Sequence, residues 1–440
     1  MAPPSPKGLT VYVFNVGQGD HLLIEFPNGQ YGVIDFYHQT STTPNLLSTP
    51  ALFFLEKRRL ATPSKRIKLR FIHLTHPDLD HTKGVIEFLS WVHKHQIDLD
   101  EFWSFPGLSL ADIIKQVNRA LTATPNPRLQ ARVQRIKNRL ERLDELIKKI
   151  GCREQVLHGV QHVGKIGRNV KAVALAPLGS HINEADQKQL DKTIKLILSD
   201  EPFRGSANNM VSSILKFHYG KHKLLFGGDA SRRVWEECLD FYERSKQPHG
   251  TCNGNFIKVS HHGSKNSSSV NLWRKVLCER SSLAISAGRT KKPNHPDKET
   301  LKQIIRVGSN FNTPPKVVST NMCSQCIQGP DARLKLVNWY AAPDKPKQEV
   351  QSMLRLIRAK GITQKRKQNT SRLDASRASE GGFTFAAMKS RPPEFAAYIY
   401  NFQPAGDSVI LTRAVTAKLA ETACLFGGKP KEKFPRCVLR

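Results

Sequence analysis

Short apolar runs of strand length recur along the chain. Within the first 36 residues, VYVFNV, HLLIEF and YGVIDF predict three strands, and the PNG at 27–29 predicts a hairpin between the last two. LRFIHLT (69–75) predicts the next strand, and a helix is expected over 44–60. After residue 170 further strands are predicted in VKAVALAPL, SSILKFHY, HKLLFGGD, FIKVS, SLAISAG and PPKVVSTN. Strands that alternate with helices in this way predict the α/β class.

Residues 109–150 break the strand pattern. Apolar residues at spacings of 4, 3, 4, 3, 4 and 3 form a helical seam of about three heptads: Leu129, Val133, Ile136, Leu140, Leu143, Ile147 and Ile150. An earlier helix is marked by Ile113, Ile114, Val117 and Leu121, and the TPNP at 124–127 separates the two. The pattern predicts a helical hairpin inserted into the α/β domain. Its Arg- and Lys-rich faces suit either a packed lid or spacer, or a nucleic-acid clamp.

Composition changes after the predicted main domain, which spans residues 1–343. Residues 344–382 are basic and Ser-rich, which predicts a partly helical and partly flexible linker. Residues 383–440 are predicted to form a small C-terminal extension, with the strand pair AAYIYNF and SVILTRAV around QPAGD.

Charge is the unusual property of the composition. The chain has 68 Lys and Arg against 37 Asp and Glu, a formal net charge of +31. Such an excess attracts polyanions, of which nucleic acid is the usual one, although it also suits general solubility. No apolar run approaches the ~20 residues of a membrane span, and no secretory signal is visible, so no membrane association is expected.

The eight cysteines have no framework spacing, which suits reduced thiols in the cytoplasm. Cys323 and Cys326 form a single CxxC, which is predicted to hold free thiols because a structural zinc site needs a second pair.

The most compact polar cluster is THPDLDH at 75–81, directly after an apolar strand. It places His76, Asp78, Asp80 and His81 within six positions, and Pro77, which cannot continue a central strand, follows His76 directly. Helix capping would account for one Asp, but not for two Asp and two His at alternating spacing. The cluster therefore predicts a metal site on a strand-to-helix loop.

Other predicted strands also end in metal-binding residue types. HKLLFGGD ends at Asp229, FIKVS leads into His261 and His262, and YGVIDF contains Asp35 near its end. The exits of strands in one sheet lie at the same edge, so we expect these side chains to converge.

Seven motifs in order carry a resemblance to a known family: VGQGD (16–20), VIDF (33–36), THPDLDH (75–81), NNMVSSIL (208–215), LLFGGD (224–229), KVSHHGSKNSS (258–268) and NHP (294–296). They resemble the metallo-β-lactamase superfamily, specifically the hydrolase domain of the DNA-uptake protein ComEC and its stand-alone soluble relatives. The resemblance covers residues 9–325 and excludes the helical insertion and the basic tail. It implies a four-layer αβ/βα sandwich, with two metal ions at the edge of the sheets.

The resemblance also implies roles for individual residues. His76 and Asp78 would hold the first metal ion, Asp80 and His81 the second, and Asp229 would bridge them. One of His261 and His262, with a slight preference for His261, would complete the second site. Further roles are implied for Asp20 and Asp35 in the floor, for Ser264, Lys265 and Asn266 in binding substrate phosphate, and for His295 as a phosphate or leaving-group partner.

The sequence departs from the superfamily pattern His-x-His-x-Asp-His at two points. Asp78 replaces the second His, and the usual third His of the first site has no clear counterpart. Four candidates for that ligand stand in unmatched contexts: His158, His162, His181 and His218. A first site richer in oxygen ligands is therefore expected.

The expected function is metal-dependent phosphodiester hydrolysis with two divalent ions, Zn or Mn, in which Asp80, Asp78 and His295 take part. A nuclease fits the charge, and the resemblance favours DNA over RNA. The alternatives are a small-molecule hydrolase, for a cyclic nucleotide, phosphoester or lactone, and a non-catalytic nucleic-acid-binding component. A partner protein encoded nearby is also considered.

Overall fold

The computed structural model describes residues 8–37 (except 15 and 17), 49–61, 63, 66–104, 109–123, 127–159, 161–166, 169–179, 209, 211–245, 252–287, 295–312 and 315–319, and four strands between 397 and 438. The predicted linker at 344–382, the CxxC at 323–326 and His181 lie outside the described residues.

The first of two sheets is built mainly from the N-terminal part of the chain. Its described strands are β1 (Leu9–Phe14), β2 (Leu22–Glu25), β3 (Tyr31–Ile34), β4 (Lys68–His73), β5 (Asp98–Ser104), β6 (Arg153–Val156), β14 (Ala397–Phe402) and β15 (Ile410–Ala414). Their order is β15-β14-β1-β2-β3-β4-β5-β6, and the pairing from β3 to β6 is parallel. The parallel part brings the ends of β3 and β4 to one edge.

The second sheet follows in the chain. Its described strands are β7 (Gln161–Ile166), β8 (Val170–Ala176), β9 (Ile214–Tyr219), β10 (His222–Phe226), β11 (Gly254–Lys258), β12 (Leu277–Ile285), β13 (Lys316–Ser319), β16 (Ala423–Phe426) and β17 (Arg436–Val438). The order is β17-β16-β13-β12-β11-β10-β9-β8-β7, with parallel pairing from β10 to β13. The strands predicted from the sequence are present, while β5, β6, β7, β16 and β17 were not predicted.

Helices lie between the strands. The described ones are α1 (Pro50–Ala61), α2 (Leu79–Thr82), α3 (Val85–Lys94), α4 (Leu110–Ala123), α5 (Pro127–Ile150), α6 (Arg232–Arg244), α7 (Val270–Val276) and α8 (Lys298–Gly308). In the part of the chain that the structure describes, none of these is long and apolar enough to cross a membrane.

Three apolar cores define four layers. One core packs α1, α3, α4 and α5 on the first sheet, and another packs α6, α7 and α8 on the second. The third lies between the sheets, where Val11 and Phe71 of the first sheet meet Phe217 and Leu224 of the second. This is the predicted αβ/βα sandwich, so the fold-class prediction is confirmed.

The helical hairpin is also present, as α4 and α5. Of the predicted seam, Val133, Leu143 and Ile147 are buried in the core of the first sheet. Ile136, Leu140 and Ile150 are partly buried against the same core. The seam therefore packs the hairpin onto the helix-covered face of the first sheet.

The C-terminal strands extend the two sheets. The predicted strand pair forms β14 and β15, and β14 pairs antiparallel with β1. Strands β16 and β17 continue the second sheet beyond β13. Strand β13, in the segment PPKVVSTN, is therefore followed in its own sheet by two strands that the sequence did not predict.

Candidate metal centre

The site lies where the carboxyl ends of both sheets meet. His76 follows β4, Asp35 follows β3, and Asp229 follows β10. Backbone and side-chain contacts join the sheets there: Ser213 N donates to Thr75 O (3.1 Å), and His73 Nε2 lies 2.6 Å from Ser213 Oγ. The predicted convergence of strand exits is present, because parallel strands bring their carboxyl ends to one edge.

The THPDLDH loop turns directly after β4 into the short helix α2. Asp78 stands at the N-cap position of α2, but its side chain makes no capping hydrogen bond. Its Oδ2 instead lies 3.4 Å from His76 Nε2, and Asp80 Oδ2 lies 3.3 Å from His262 Nε2. The carboxylates of the loop face histidines, so capping does not explain them.

Asp35 holds the THPDLDH loop through hydrogen bonds to its carboxylate. Its backbone has a φ of 57°, and its carboxylate accepts hydrogen bonds from Thr75 N (2.8 Å), Thr75 Oγ1 (2.8 Å) and His81 Nδ1 (2.7 Å). The ligand atoms of Asp20, Asp35 and His81 lie within 4.8 Å of one another. Because the Asp35 oxygens already accept hydrogen bonds from Thr75 and His81, the geometry of Asp35 suits the predicted role in the floor of the site.

Three histidines are held through Nδ1. His81 Nδ1 donates to Asp35, and His262 Nδ1 donates to Ser286 O at 2.9 Å. His76 Nδ1 lies 3.0 Å from Thr75 Oγ1, which gives its own hydrogen to Asp35. In the neutral form of each ring the proton therefore sits on Nδ1, and Nε2 presents a lone pair, which is the arrangement of metal-binding histidines.

These lone pairs point toward Asp229. Its oxygens lie 3.4 Å from His81 Nε2, 3.8 Å from His262 Nε2 and 3.9 Å from His76 Nε2. Two atoms bound tetrahedrally to one ion at ~2.1 Å stand about 3.4 Å apart. The spacing to His81 therefore matches that of two ligands on one ion, and the spacings to His262 (3.8 Å) and His76 (3.9 Å) are slightly longer, with Asp229 at the centre.

Several of these atoms are buried without a hydrogen-bond partner: His76 Nε2, His81 Nε2 and Asp229 Oδ1. Imidazole lone pairs and carboxylate oxygens that face one another repel unless a cation or proton lies between them. The donor set therefore fits divalent metal ions. The ligand atoms of four residues, Asp80, His81, Asp229 and His262, lie within 4.8 Å of one another.

The two adjacent histidines differ. Both have positive φ angles, 48° for His261 and 54° for His262. His262 belongs to the group with Asp80, whereas His261 is placed 3.9 Å from Asp229 and accepts at Nδ1 from Asn209 Nδ2 (3.0 Å). The proton of His261 is then on Nε2, which leaves no lone pair there. The geometry reverses the slight preference for His261 as the ligand of the second site.

The carboxylates and histidines of the site shift one another's pKa values. Burial alone would raise the pKa of Asp80, but His81 and His262 bring it down to about 2. Burial would likewise raise the pKa of Asp229, and His81, His262 and His261 hold it well below its usual range. Burial would lower the pKa of His81, but Asp229, Asp35 and Asp80 raise it well above normal. The carboxylates thus require positive charge from protons or metal ions.

A glycine permits the close approach of Asp229. Gly228 has a φ of +46°, and a Cβ there would lie 2.5 Å from Ser212 Oγ and 3.0 Å from Ser213 O. The Asp229 N–H donates to Ser212 Oγ at 2.8 Å. The GGD motif therefore brings the central carboxylate against the strand that begins at Ile214.

Asp20 lies in the floor as part of a buried ion pair. Its Oδ2 accepts from Lys258 Nζ at 2.6 Å, and both side chains are 1% exposed. Its Oδ1 lies 3.7 Å from His262 Nδ1. Lys258 was missed by sequence reasoning, although it stands in the KVSHHGSKNSS motif.

The residues expected to bind phosphate are not equivalent. Ser264 is buried, and its Oγ accepts from Asn266 N at 3.3 Å, so it caps a turn. The side chains of Lys265 and Asn266 are exposed beside the site. His295 is buried with its ring 5.7 Å from that of His261. Burial and the neighbouring histidines lower the pKa of His295 to about 4, so it is neutral at pH 7.

Sequence reasoning missed Asn209 and Ser212, which anchor His261 and Asp229, although NNMVSSIL contains both. The candidates for a third histidine do not join the site among the described residues. The site lies at the Ile214 end of β9, and His218 lies near the opposite end of that strand. His158 is exposed. His162 is placed in β7, at the outer edge of its sheet.

No protein-family model matches the sequence, and no curated protein matches it significantly. Solved structures do match. Unliganded yeast PDE1 is 10% identical (70% of this chain and 96% of that chain covered, TM-score 0.36). A new diphosphatase from the PhnP family is 12% identical (70% and 94%, TM-score 0.32). Zn²⁺-bound PqqB from Methylobacterium extorquens is 9% identical (68% and 96%, TM-score 0.35). At these scores the likenesses add nothing to the geometry of the site.

Proposed function

We propose that the chain is a metal-dependent phosphodiester hydrolase that acts on nucleic acid, with DNA favoured over RNA. The observation that carries this proposal is the set of buried Nε2 lone pairs around Asp229. The net charge of +31 supports a polyanionic substrate. The order of seven motifs, as in the ComEC hydrolase domain, favours DNA. A cytoplasmic, membrane-independent enzyme is part of the same proposal.

Two ions would be held by two sets of residues that share Asp229. Asp80, His81 and His262 form one set, and His76 with Asp78 forms the core of the other. When bound, such a pair of divalent ions lowers the pKa of water and neutralises charge on a phosphoryl group. In the set that contains His76, the Asp78 carboxylate supplies an oxygen ligand where the superfamily pattern has an imidazole, which favours Mn²⁺ more than an all-histidine set would.

The chain's own groups supply orientation. The Asp80 side chain is 33% exposed, the most open of the carboxylates around Asp229, so its free oxygen can accept a hydrogen bond from an attacking water. His261, with its proton on Nε2, can donate to a phosphoryl oxygen. His295 is neutral and stands beside His261, where its ring can donate to a leaving-group oxygen.

A cleavage assay tests the proposal. Circular and linear DNA and the small ester bis(p-nitrophenyl) phosphate are incubated with wild type, with or without Mn²⁺. We expect Mn²⁺-dependent hydrolysis of all three. Asp80→Ala is expected to abolish it while leaving the far-ultraviolet circular dichroism unchanged, because Asp80 contacts histidines of the site and not the core.

The matched control is Asp240→Ala. Asp240 is a half-exposed carboxylate that pairs with Lys275 away from the site, and its loss should leave turnover intact. Wild-type turnover in Asp80→Ala at saturating metal would refute the site assignment. DNA binding without cleavage in any metal would indicate the non-catalytic alternative, and cleavage of small esters alone would indicate the small-molecule hydrolase.

A further inference from the structure

The charge of the helical hairpin is unevenly distributed. Residues 113–140 contain seven Lys and Arg and no Asp or Glu, whereas 141–150 contain three of each sign. In the second part the charges are internally paired: Lys148 with Asp144 (2.6 Å), and Lys149 and Arg142 with Glu145. An ordinary solvated helix face would show this mixture throughout. Of these seven, Lys137 pairs with Glu141 at 3.6 Å, and the first part of the hairpin keeps an excess of positive charge that suits a polyanion.

Arginines in α5 follow the spacing of its apolar seam. They stand at 128, 132, 135 and 139, each one residue before a seam residue at 129, 133, 136 and 140. Residues at spacings of 4, 3 and 4 share one face of a helix. Because the seam packs on the core, these four positions lie beside it on the helix, and the side chains of Arg128 and Arg135 are exposed. We call residues 128, 132, 135 and 139 the arginine stripe.

One end of the arginine stripe touches the metal-site loop. Arg139 Nη2 donates to Thr82 O at 2.6 Å, the carbonyl at the end of α2. The next residue, Lys83, places Nζ 5.5 Å from the centre of the Tyr37 ring. The Tyr37 N–H donates to Asp20 O at 3.0 Å, so Tyr37 lies beside the floor of the site. Lys83 and Arg139 therefore place positive charge between the site and α5, with the carboxylate of Glu87 close to both.

We propose that the arginine stripe is a track for the phosphate backbone of a nucleic acid whose scissile phosphate lies at the metal site. The stripe extends over 12 residues, from 128 to 139, and is about 16 Å long, enough for several successive phosphates. Arginine suits this role because its planar guanidinium binds phosphate oxygens in pairs. The placement of the scissile phosphate rests on the proposed function, while the binding surface does not.

Paired variants with equal charge change test the stripe. Arg128→Gln/Arg135→Gln removes its two exposed members, neither of which belongs to the metal site. Lys148→Gln/Lys149→Gln removes two exposed, ion-paired charges from the other end of the same helix. Binding to a 30-nucleotide DNA is measured by fluorescence anisotropy over a range of salt concentrations, in EDTA so that cleavage plays no part.

We expect the arginine variant to bind on the order of tenfold more weakly, and its log–log salt slope to fall by about 1.4–1.8, as for two lost phosphate contacts. The lysine variant should show a smaller change in both. With Mn²⁺, the arginine variant should hydrolyse bis(p-nitrophenyl) phosphate at the wild-type rate but show a raised KM for DNA.

Equal effects of the two double variants on DNA binding would overturn the proposal. So would unchanged DNA binding accompanied by lost binding to phosphatidylserine vesicles, which would assign the stripe to a membrane surface. If wild type hydrolyses no phosphodiester with any metal, the proposed function fails, but the binding experiment in EDTA still decides the role of the stripe.

Discussion

Loss of the Lys258 ammonium should be among the most damaging single changes in the floor of the site. Lys258 ends β11, and its Nζ lies 2.6 Å from Asp20 Oδ2 and 3.1 Å from Val259 O. Both charged side chains are 1% exposed. The pair joins the second sheet to the β1–β2 connection of the first, so it ties the two sheets together directly below His262.

The expected loss in the free energy of unfolding follows from the burial of the Lys258–Asp20 pair. Removing one partner of a buried ion pair leaves the other charge without compensation, which costs about 3–5 kcal/mol. Lys258→Met keeps the length of the side chain and removes its charge, so we expect the free energy of unfolding to fall by that amount. Lys258→Met/Asp20→Asn should recover much of the loss, because no buried charge then remains, and the coupling in the double-mutant cycle should be on the order of 3 kcal/mol.

The assay is urea denaturation in EDTA, which removes stabilisation by bound metal. Lys275→Met is the control, because Lys275 forms a comparable ion pair with Asp240 at 3.0 Å on the surface, where the side chains are 21% and 46% exposed. Its loss should cost less than about 1 kcal/mol. If Lys258→Met were no more damaging than Lys275→Met, the inference that this pair holds the floor of the site would be refuted.

Three further predictions concern metal preference, pH and charge. Activity should be highest with Mn²⁺ and inhibited by excess Zn²⁺, and Asp78→His should shift the preference toward zinc; full activity of wild type with stoichiometric zinc alone would contradict this. Burial lowers the pKa of His73 to about 4, so the folded state binds fewer protons than the unfolded state between pH 4 and the ordinary value near 6.5, and stability rises with pH across that window. His73→Gln should therefore lose about 3 kcal/mol less than wild type on acidification from pH 7 to 4, measured by urea denaturation, and identical losses would refute it. Replacing the Lys and Arg of 345–377 by Gln should flatten the salt dependence of DNA binding without altering hydrolysis of a small ester, and an unchanged slope would show that this segment does not contact the polyanion. Substitution is the better test than truncation near residue 343, because strands after Ala397 extend both sheets.

The sequence by itself determined the α/β class and the hairpin at 109–150, and it pointed to most residues of the candidate site, but not to Asn209, Ser212 or Lys258. These follow from local patterns: apolar runs of strand length, a heptad seam, and metal-binding residue types at strand exits. Asp35, His76 and Asp229 were predicted because each lies at the end of a predicted strand, and the ends of strands in one sheet lie at the same edge. Strand β6, REQV, is polar and only partly buried, so no apolar pattern marked it. Strand β7 has a Gly and a Lys in its interior and lies at a sheet edge.

Only the tertiary structure decided how the site residues are used. His261 and His262 are adjacent in sequence and indistinguishable as residue types. Their roles separate because Ser286 O accepts from the Nδ1 of one, while Asn209 donates to the Nδ1 of the other. Lys258 pairs with Asp20, which lies 238 residues before it in the sequence. Arg139 donates to Thr82, which lies 57 residues before it. Such pairings depend on how two sheets and an inserted hairpin pack together. Local periodicity carries no information about them, because it records which face of an element is apolar and not which element that face will meet.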